Sequence, residues 1–141
     1  IQRAGIGFGF LTLAAHMHKN FPVGHPGYMG RLVYAQDVYA VTAACLMVRR
    51  SVYEQVNGLD ESYAVAFNDV DFCVRVRQAG YTNESKSRGL DENPVKRKRF
   101  ISEVERFQKR WAKQLAAGDP CMNPNFDLMK EDFSFDIKPL E

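Results

Sequence analysis

Residues 64–81, AVAFNDVDFCVRVRQAGY, decide how this chain folds. Two periods compete in them. Phe72, Val74 and Val76 alternate with Cys73, Arg75 and Arg77, the spacing of a half-buried strand. Asn68 and Asp69, however, are capping residues, Asp71 suits the first turn of a helix electrostatically, and Gly80 closes a segment of helical length. A helix is expected. The acids at its start then have two roles open to them. One is the cap, which the local residues alone favour. The other is a carboxylate held in a fixed direction by the free N–H groups of the helix start, from where it can accept a proton from a hydroxyl.

Outward from this stretch, residues 38–48 (VYAVTAACLMV) are continuously apolar and predict a strand buried on both faces. RRSVYEQVNGLDE follows as a short helix: Ser51 and Glu54 have the spacing of a capping box, Val52 and Val56 share a face, and Gly58 supplies the stop. The opening GIGFGFLTLAAHMHK predicts a short strand and an irregular loop. NFPVGHPGYMGR, with two Pro and three Gly, predicts a loop of the kind that covers a binding site. Downstream, Asn93 and Pro94 start the clearest helix, in which Phe100, Val104, Phe107, Trp111 and Leu115 recur at helical spacing before Gly118 and Pro120. Lys96, Arg97, Lys98 and Arg99 give its first turn the wrong sign for the helix dipole, to be offset by an acidic tail or an anion. The tail, NPNFDLMKEDFSFDIKPLE, carries Phe126, Phe133 and Phe135 among acids and is expected to lie as an extended strap. No internal repeat or low-complexity tract occurs.

The chain has 141 residues, 45% hydrophobic and 26% charged, which suits one globular domain. A net charge of +2 argues against nucleic acid or an anionic membrane as partner. The charge is uneven: residues 95–113 carry eight Lys/Arg against two Glu, and residues 119–141 six acids against two Lys. Packing of the basic helix against the acidic tail would account for it. Cys45, Cys73 and Cys121 are widely spaced with no CxxC, so neither a disulfide framework nor a zinc site is indicated and buried thiols are expected. No apolar run approaches the ~20 residues of a membrane span. The first residue is Ile, and no signal peptide is recognisable, so a piece of a longer protein is expected.

Two further groups bear on chemistry. ESKSRG (84–89) gathers two hydroxyls, an ammonium and a guanidinium, a composition that can bind a diphosphate but more commonly forms a solvated loop. His16 and His18, with His25 nearby, could ligate a metal, but no carboxylate or Cys close in sequence completes a site.

Together these pieces resemble the C-terminal half of a family 2 glycosyltransferase with the GT-A fold, of the bacterial cell-surface polysaccharide and rhamnan type. IQRAGIGFG, AHMHKNFPVGHPGYMGR, VTAACLMVRRSVYEQVNGLDE, AFNDVDFCVRVRQAGY and ESKSRG fall in that family's order. The resemblance implies an α/β fold: residues 1–93 as the acceptor-side part of the glycosyltransferase domain, 94–118 as a long amphipathic helix, and 119–141 as the extended tail. It implies transfer of a sugar from a nucleotide-diphosphate donor to a glycan or lipid-linked glycan acceptor, with inversion, in the cytoplasm (at the inner face of the membrane where the acceptor is lipid-linked). The family's Glu-Asp pair stands here as Asn68-Asp69, and the general base falls on Asp69. Asn68, Asp60 and Asp71 fall on the acceptor side, Asp71 also supporting the helix start and the Gly58-Leu59-Asp60 turn lying beside the acceptor. Ser85, Lys86, Ser87 and Arg88 lie near the donor diphosphate. A Mg²⁺ or Mn²⁺ ion is expected in the full-length enzyme, held mainly by an Asp-x-Asp motif of the N-terminal half, which this chain lacks. The isolated piece is expected to be inactive. The family also carries a strand, often ending in His-His, where Asn83 here meets Glu84 directly; residues missing from the sequence, rather than lost from the protein, are the expectation there. A non-catalytic glycan- or protein-binding module derived from the fold is the alternative.

Overall fold

The computed structural model describes residues 5–9, 13–19, 21–64, 66–85, 97–130 and 133–136, with the side chains of 97–100 left aside. The decisive stretch is a helix, α2 (Asn68–Gln78), and Val70, Asp71, Phe72, Cys73, Val74 and Val76 within it are all buried. A helix buried on nearly every side needs no single apolar stripe, so its sequence can mimic strand alternation. Arg75 and Arg77 fit because their stems lie along apolar surface; the Arg77 guanidinium sits 5.2 Å over the Tyr39 ring. At the C-terminal end the Gly80 N–H bonds to the Arg77 carbonyl at 2.9 Å and the Tyr81 N–H to Val76 at 3.2 Å. This paired closure requires a left-handed residue, and Gly80 has φ 89°.

The helix before it, α1 (Arg50–Gln55), ends the same way. Asn57 and Gly58 bond back to Glu54 and Tyr53 at 3.1 and 2.8 Å. Both have positive φ, so Asn57 shares the turn with the expected Gly58. The expected capping box does not form. Ser51 lies inside the helix, Arg49 takes the cap position without a side-chain bond, and Glu54 pairs with Arg50 at 2.8 Å instead. Val52 and Val56 are buried on one face as the spacing required. The start of α2 also departs from expectation. Phe67 occupies the cap position, and Asn68 and Asp69 are the first helical residues, each accepting the N–H of the residue that follows it.

The strands are short. Strand β1 (Ile6–Phe8) pairs antiparallel with β2 (Ala14–His16), and β3 (Gln36–Val38) with β4 (Asn83–Ser85). A bridge between Ile6 and Ala40 joins the two pairs. The β4 ladder runs unbroken across the Asn83–Glu84 junction, facing Val38 and Asp37. Inside, the Asn83 amide donates to the carbonyls of Tyr39 and Cys73 at 2.8 and 3.2 Å.

The strand expected over 38–48 does not form beyond Ala40. The Thr42 hydroxyl accepts the Ala44 N–H and turns the chain into a short 3-10 segment, Ala43–Cys45. Leu46 returns to extended backbone (φ −115°, ψ 130°), but residues 46–48 make no backbone hydrogen bond to another described residue. Apolar, β-branched sequence is enough for extended backbone; a strand also needs a partner. Cys45 is exposed, contrary to expectation, whereas Cys73 is buried.

In the C-terminal third, α3 (Arg97–Arg110) and α4 (Ala112–Ala117) are separate helices, where one long helix was expected. The break is Trp111, at φ −108° and ψ 23°. Residues 91–96, including Asn93, Pro94 and Lys96, lie outside those described. Phe107 and Trp111 join the main core with Phe8, Phe67, Tyr63 and the buried face of α2. The described part of the tail, 119–130 and 133–136, is folded back on itself where an extended strap was expected: Phe126 bridges to Phe135, and the Asp127 and Asp136 N–H groups bond to the Ser134 and Asn125 carbonyls, both at 2.8 Å. Phe126, Phe133 and Met122 form a second core cluster with Met17 and Val38. Asp119 pins the start of the tail by accepting the N–H groups of Phe8 and Cys121 at 2.9 and 2.8 Å. No helix among the described residues is long and apolar enough to cross a membrane.

Phe107 is fully buried, stacks on Phe67 and meets Phe8 edge-on. Phe107→Ala should lower unfolding stability by about 3–5 kcal/mol, as read by urea denaturation.

Candidate functional site

Of the residues singled out in sequence, Asn68, Asp69 and Asp71 lie in the first turn of α2, and Asp60 is linked to it through Arg110. Asp69 Oδ2 accepts the Ala43 N–H at 3.0 Å and its Oδ1 the Val70 N–H at 2.9 Å. The 3-10 turn at Ala43–Cys45 and the first turn of α2 thus hold the carboxylate between them. Asp69 remains half-buried, not enclosed. A carboxylate offers about four acceptor directions, so one bond at each oxygen leaves capacity for an incoming hydroxyl.

Asp71 differs in kind. It has no solvent exposure. Its Oδ1 accepts the Trp111 indole N–H at 2.9 Å and faces Arg110 Nε at 3.3 Å. Its Oδ2 accepts Nε–H of Arg75 at 2.9 Å, and Nη2 of the same guanidinium lies at 2.9 Å as an ion-pair contact. The same Arg75 donates to the Val56 carbonyl, so Asp71 links α2 to the end of α1 and to the α3–α4 break. With no surface exposed and two guanidinium groups and an indole packed against it, Asp71 organises the fold and is closed to substrate.

Asp60 lies one turn beyond α1. Its Oδ1 accepts the Ser62 N–H at 2.9 Å and its Oδ2 meets Arg110 Nη1 at 2.6 Å. Hydrogen bonds from the Ser62 hydroxyl and N–H, with Arg110 adding to them, hold its carboxyl down to about 2. Arg110 therefore joins Asp60 to Asp71, and the Gly58-Leu59-Asp60 turn is tied to α2 through α3. Asn68 keeps its Oδ1 on the Asp69 N–H at 2.8 Å.

Ser85 is elsewhere, at the end of β4 opposite Gln36, and no hydrogen bond connects it to Asp69. Lys86, Ser87 and Arg88 lie outside the described residues. A cavity of about 300 Å³ opens beside β4, walled by Leu46, Val48, Val52, Phe72, Val76 and Tyr81 among others; Asp69 does not line it.

The histidines are turned to other uses. His18 Nε2 accepts the Tyr28 N–H at 3.2 Å and His25 Nδ1 the Gly27 N–H at 2.9 Å, so both have spent a lone pair on backbone. No three His, Cys, Asp or Glu among the described residues come together to hold a metal ion. Asp71, the acid two residues from Asp69, is fully buried against two guanidinium groups and an indole, so the described residues by themselves form no divalent-cation site. The Cys73 thiol is pushed up to about 12 by burial and is inert as a nucleophile at neutral pH.

Sequence reasoning missed three contributors. Ala43 lies 26 residues before Asp69 and has no reactive side chain to flag it. Arg110 and Glu103 sit on a helix whose basic charge was expected to meet the acidic tail or an anion, whereas they bind the 60–71 segment. For Glu103 a signal existed: it stands four and eight residues before Phe107 and Trp111, an acid in line with an apolar face.

No protein-family model matches the chain, and no solved structure matches it significantly. Among curated proteins, it is 43% identical over 145 residues to the uncharacterized protein y4gI of Sinorhizobium fredii, covering 94% of this chain and 16% of that one. It is 28% identical over 144 residues to the O-antigen biosynthesis protein RfbC of Myxococcus xanthus, covering 94% of this chain and 11% of that protein. Over 41 residues it is 44% identical to the N-acetylglucosaminyl-diphospho-decaprenol L-rhamnosyltransferase of Mycobacterium tuberculosis, covering 29% of this chain and 13% of that enzyme. The chain spans 16% or less of the length of these curated relatives.

His18 gives a pH-dependent prediction. Burial, then Arg31 and His25, lower its pKa to about 4. Native His18 stays neutral as pH falls from about 6.5, while the unfolded chain gains the proton, so stability is full above that pH and falls through the window down to about 4. Melting temperature followed from pH 7.5 to 4.5 should drop in the parent, and more shallowly in His18→Asn.

Proposed function

We propose that this chain is the acceptor-side part of an inverting glycosyltransferase that acts in cell-surface polysaccharide synthesis. The observation that carries the reading is the contrast between the two acids of α2. Asp71 is fully buried against two guanidinium groups, whereas Asp69 is oriented by two N–H groups and still partly exposed. A fixed direction and access are what a general base requires of its carboxylate. The relatives named as an O-antigen biosynthesis protein and a rhamnosyltransferase support the same class of chemistry.

In this reading Asp69 takes the proton of an acceptor hydroxyl as that oxygen attacks the anomeric carbon of a nucleotide-diphosphate sugar. The bond from that carbon to the diphosphate oxygen breaks, the nucleoside diphosphate leaves with the electron pair, and the anomeric configuration inverts. Asn68 steadies the peptide before Asp69, and the Asp60 turn borders the acceptor. Ser85, Lys86, Ser87 and Arg88 are assigned to the donor diphosphate, whose developing charge hydroxyl, ammonium and guanidinium groups would balance. A Mg²⁺ or Mn²⁺ ion, if the full-length enzyme uses one, is assigned to residues beyond those described, and no step above depends on it.

The test is Asp69→Asn in the full-length polypeptide, with nucleoside diphosphate release followed over a panel of UDP-, GDP- and dTDP-sugars. Transfer should fall by roughly 10²–10⁴-fold with the fold intact. Near-normal transfer would reduce Asp69 to a support of the helix start. Glycan binding without nucleotide-sugar turnover by the parent would favour a binding module.

A further inference from the structure

We infer that α3 is the element that aims Asp69, with Glu103 as its positioning residue; the inference rests on the reading of Asp69 as the base. The starting point is Phe67. It precedes Asn68-Asp69 directly and has φ 64°, left-handed backbone that a residue with a side chain adopts only when its surroundings impose it. Because α2 begins at the next residue, the backbone at Phe67 sets the direction in which the helix start leaves the loop. Relaxation of Phe67 to negative φ would swing Asp69 away from the Ala43 N–H.

What imposes the conformation comes from one face of α3. Glu103 accepts the Ala64 N–H through Oε1 at 3.1 Å and the Ala66 N–H through Oε2 at 2.6 Å, so one carboxylate grips the loop at two points. The Phe107 ring stacks on Phe67 itself, centroids 4.7 Å apart. Arg106 donates to the Ser62 carbonyl at 2.6 Å, and Arg110 closes on Asp60. Residues 103, 106, 107 and 110 recur at helical spacing, so one rigid surface meets the segment that ends at Asp69.

Glu103 is only 4% exposed. Burying a carboxylate is costly, and a charge is seldom buried for stability alone. A buried carboxylate that holds two N–H groups two residues apart fixes the course of the loop between them and the start of α2.

The test is Glu103→Gln in this chain, read by amide NMR and hydrogen exchange beside thermal unfolding. Glutamine keeps one acceptor and turns an NH₂ toward the other N–H. Exchange at Ala64 and Ala66 should speed up by roughly tenfold or more. The decisive readout is the amide signals of Ala43 and Val70, whose hydrogens lie on the Asp69 carboxylate and which a purely stabilising residue would leave in place. Shifts at both support the inference. A lowered melting temperature with Ala43 and Val70 unchanged would overturn it. If Glu103→Gln does not fold, Phe107→Leu, which removes the ring from Phe67, is judged on the same two signals. These signals do not depend on transfer, so retained activity in Asp69→Asn would remove the base and leave the positioning standing, whereas unmoved amides would do the reverse.

Discussion

A fully buried carboxylate, Asp71, holds the three helical regions of this protein in one arrangement. Taking such a charge out of water costs several kcal/mol, and the molecule offsets it from three sides with Arg75, Arg110 and the Trp111 indole. Each partner brings an element with it. Arg75 reaches the end of α1, Arg110 reaches the Asp60 turn, and Trp111 leaves helical geometry where α3 gives way to α4. Removing any one of them leaves the others around an undercompensated charge, so these contacts stand or fall together.

The site depends on that arrangement because its two acids divide the work. Asp71 is made inaccessible by the same cations that make it tolerable in the core. Asp69, two residues earlier, faces a turn built around Thr42 and keeps part of its surface open. Position on the helix separates them more than residue type does. Two residues carry the chain about 200° around the helix, so Asp69 meets the turn at Ala43 while Asp71 meets Trp111 and Arg110 on the packed side.

Much of the backbone was legible in the sequence, and the losses have a common cause. The helix over 68–78, the Gly80 stop and the Val52–Val56 face follow from neighbours within a few residues, where propensity and capping chemistry act. Ser51 and Glu54 had the right spacing for a box, but the helix starts two residues too early for Ser51 to cap it. The strand over 38–48 failed because pairing depends on a partner that no local pattern records. The folded tail was hidden likewise, since Phe126, Phe133 and Phe135 signal apolar contact without saying that they meet one another. For the site, the acids of α2 could be picked out early, but the assignment between them could not. It rests on Ala43, Arg110 and Trp111, which lie 26 to 40 residues away in sequence.

The face that α3 turns to the 60–71 segment also bears on how this region can change over evolutionary time. Glu105, Lys109 and Lys113 point away from it and are exposed, so their identities can drift with little effect. The count of residues between Glu103 and Trp111 cannot. Each residue added or removed rotates everything beyond it by about 100°, which would carry Arg110 and Trp111 away from Asp71 together. Variation here should therefore take the form of substitutions, with insertions and deletions confined to the flanks of the helix.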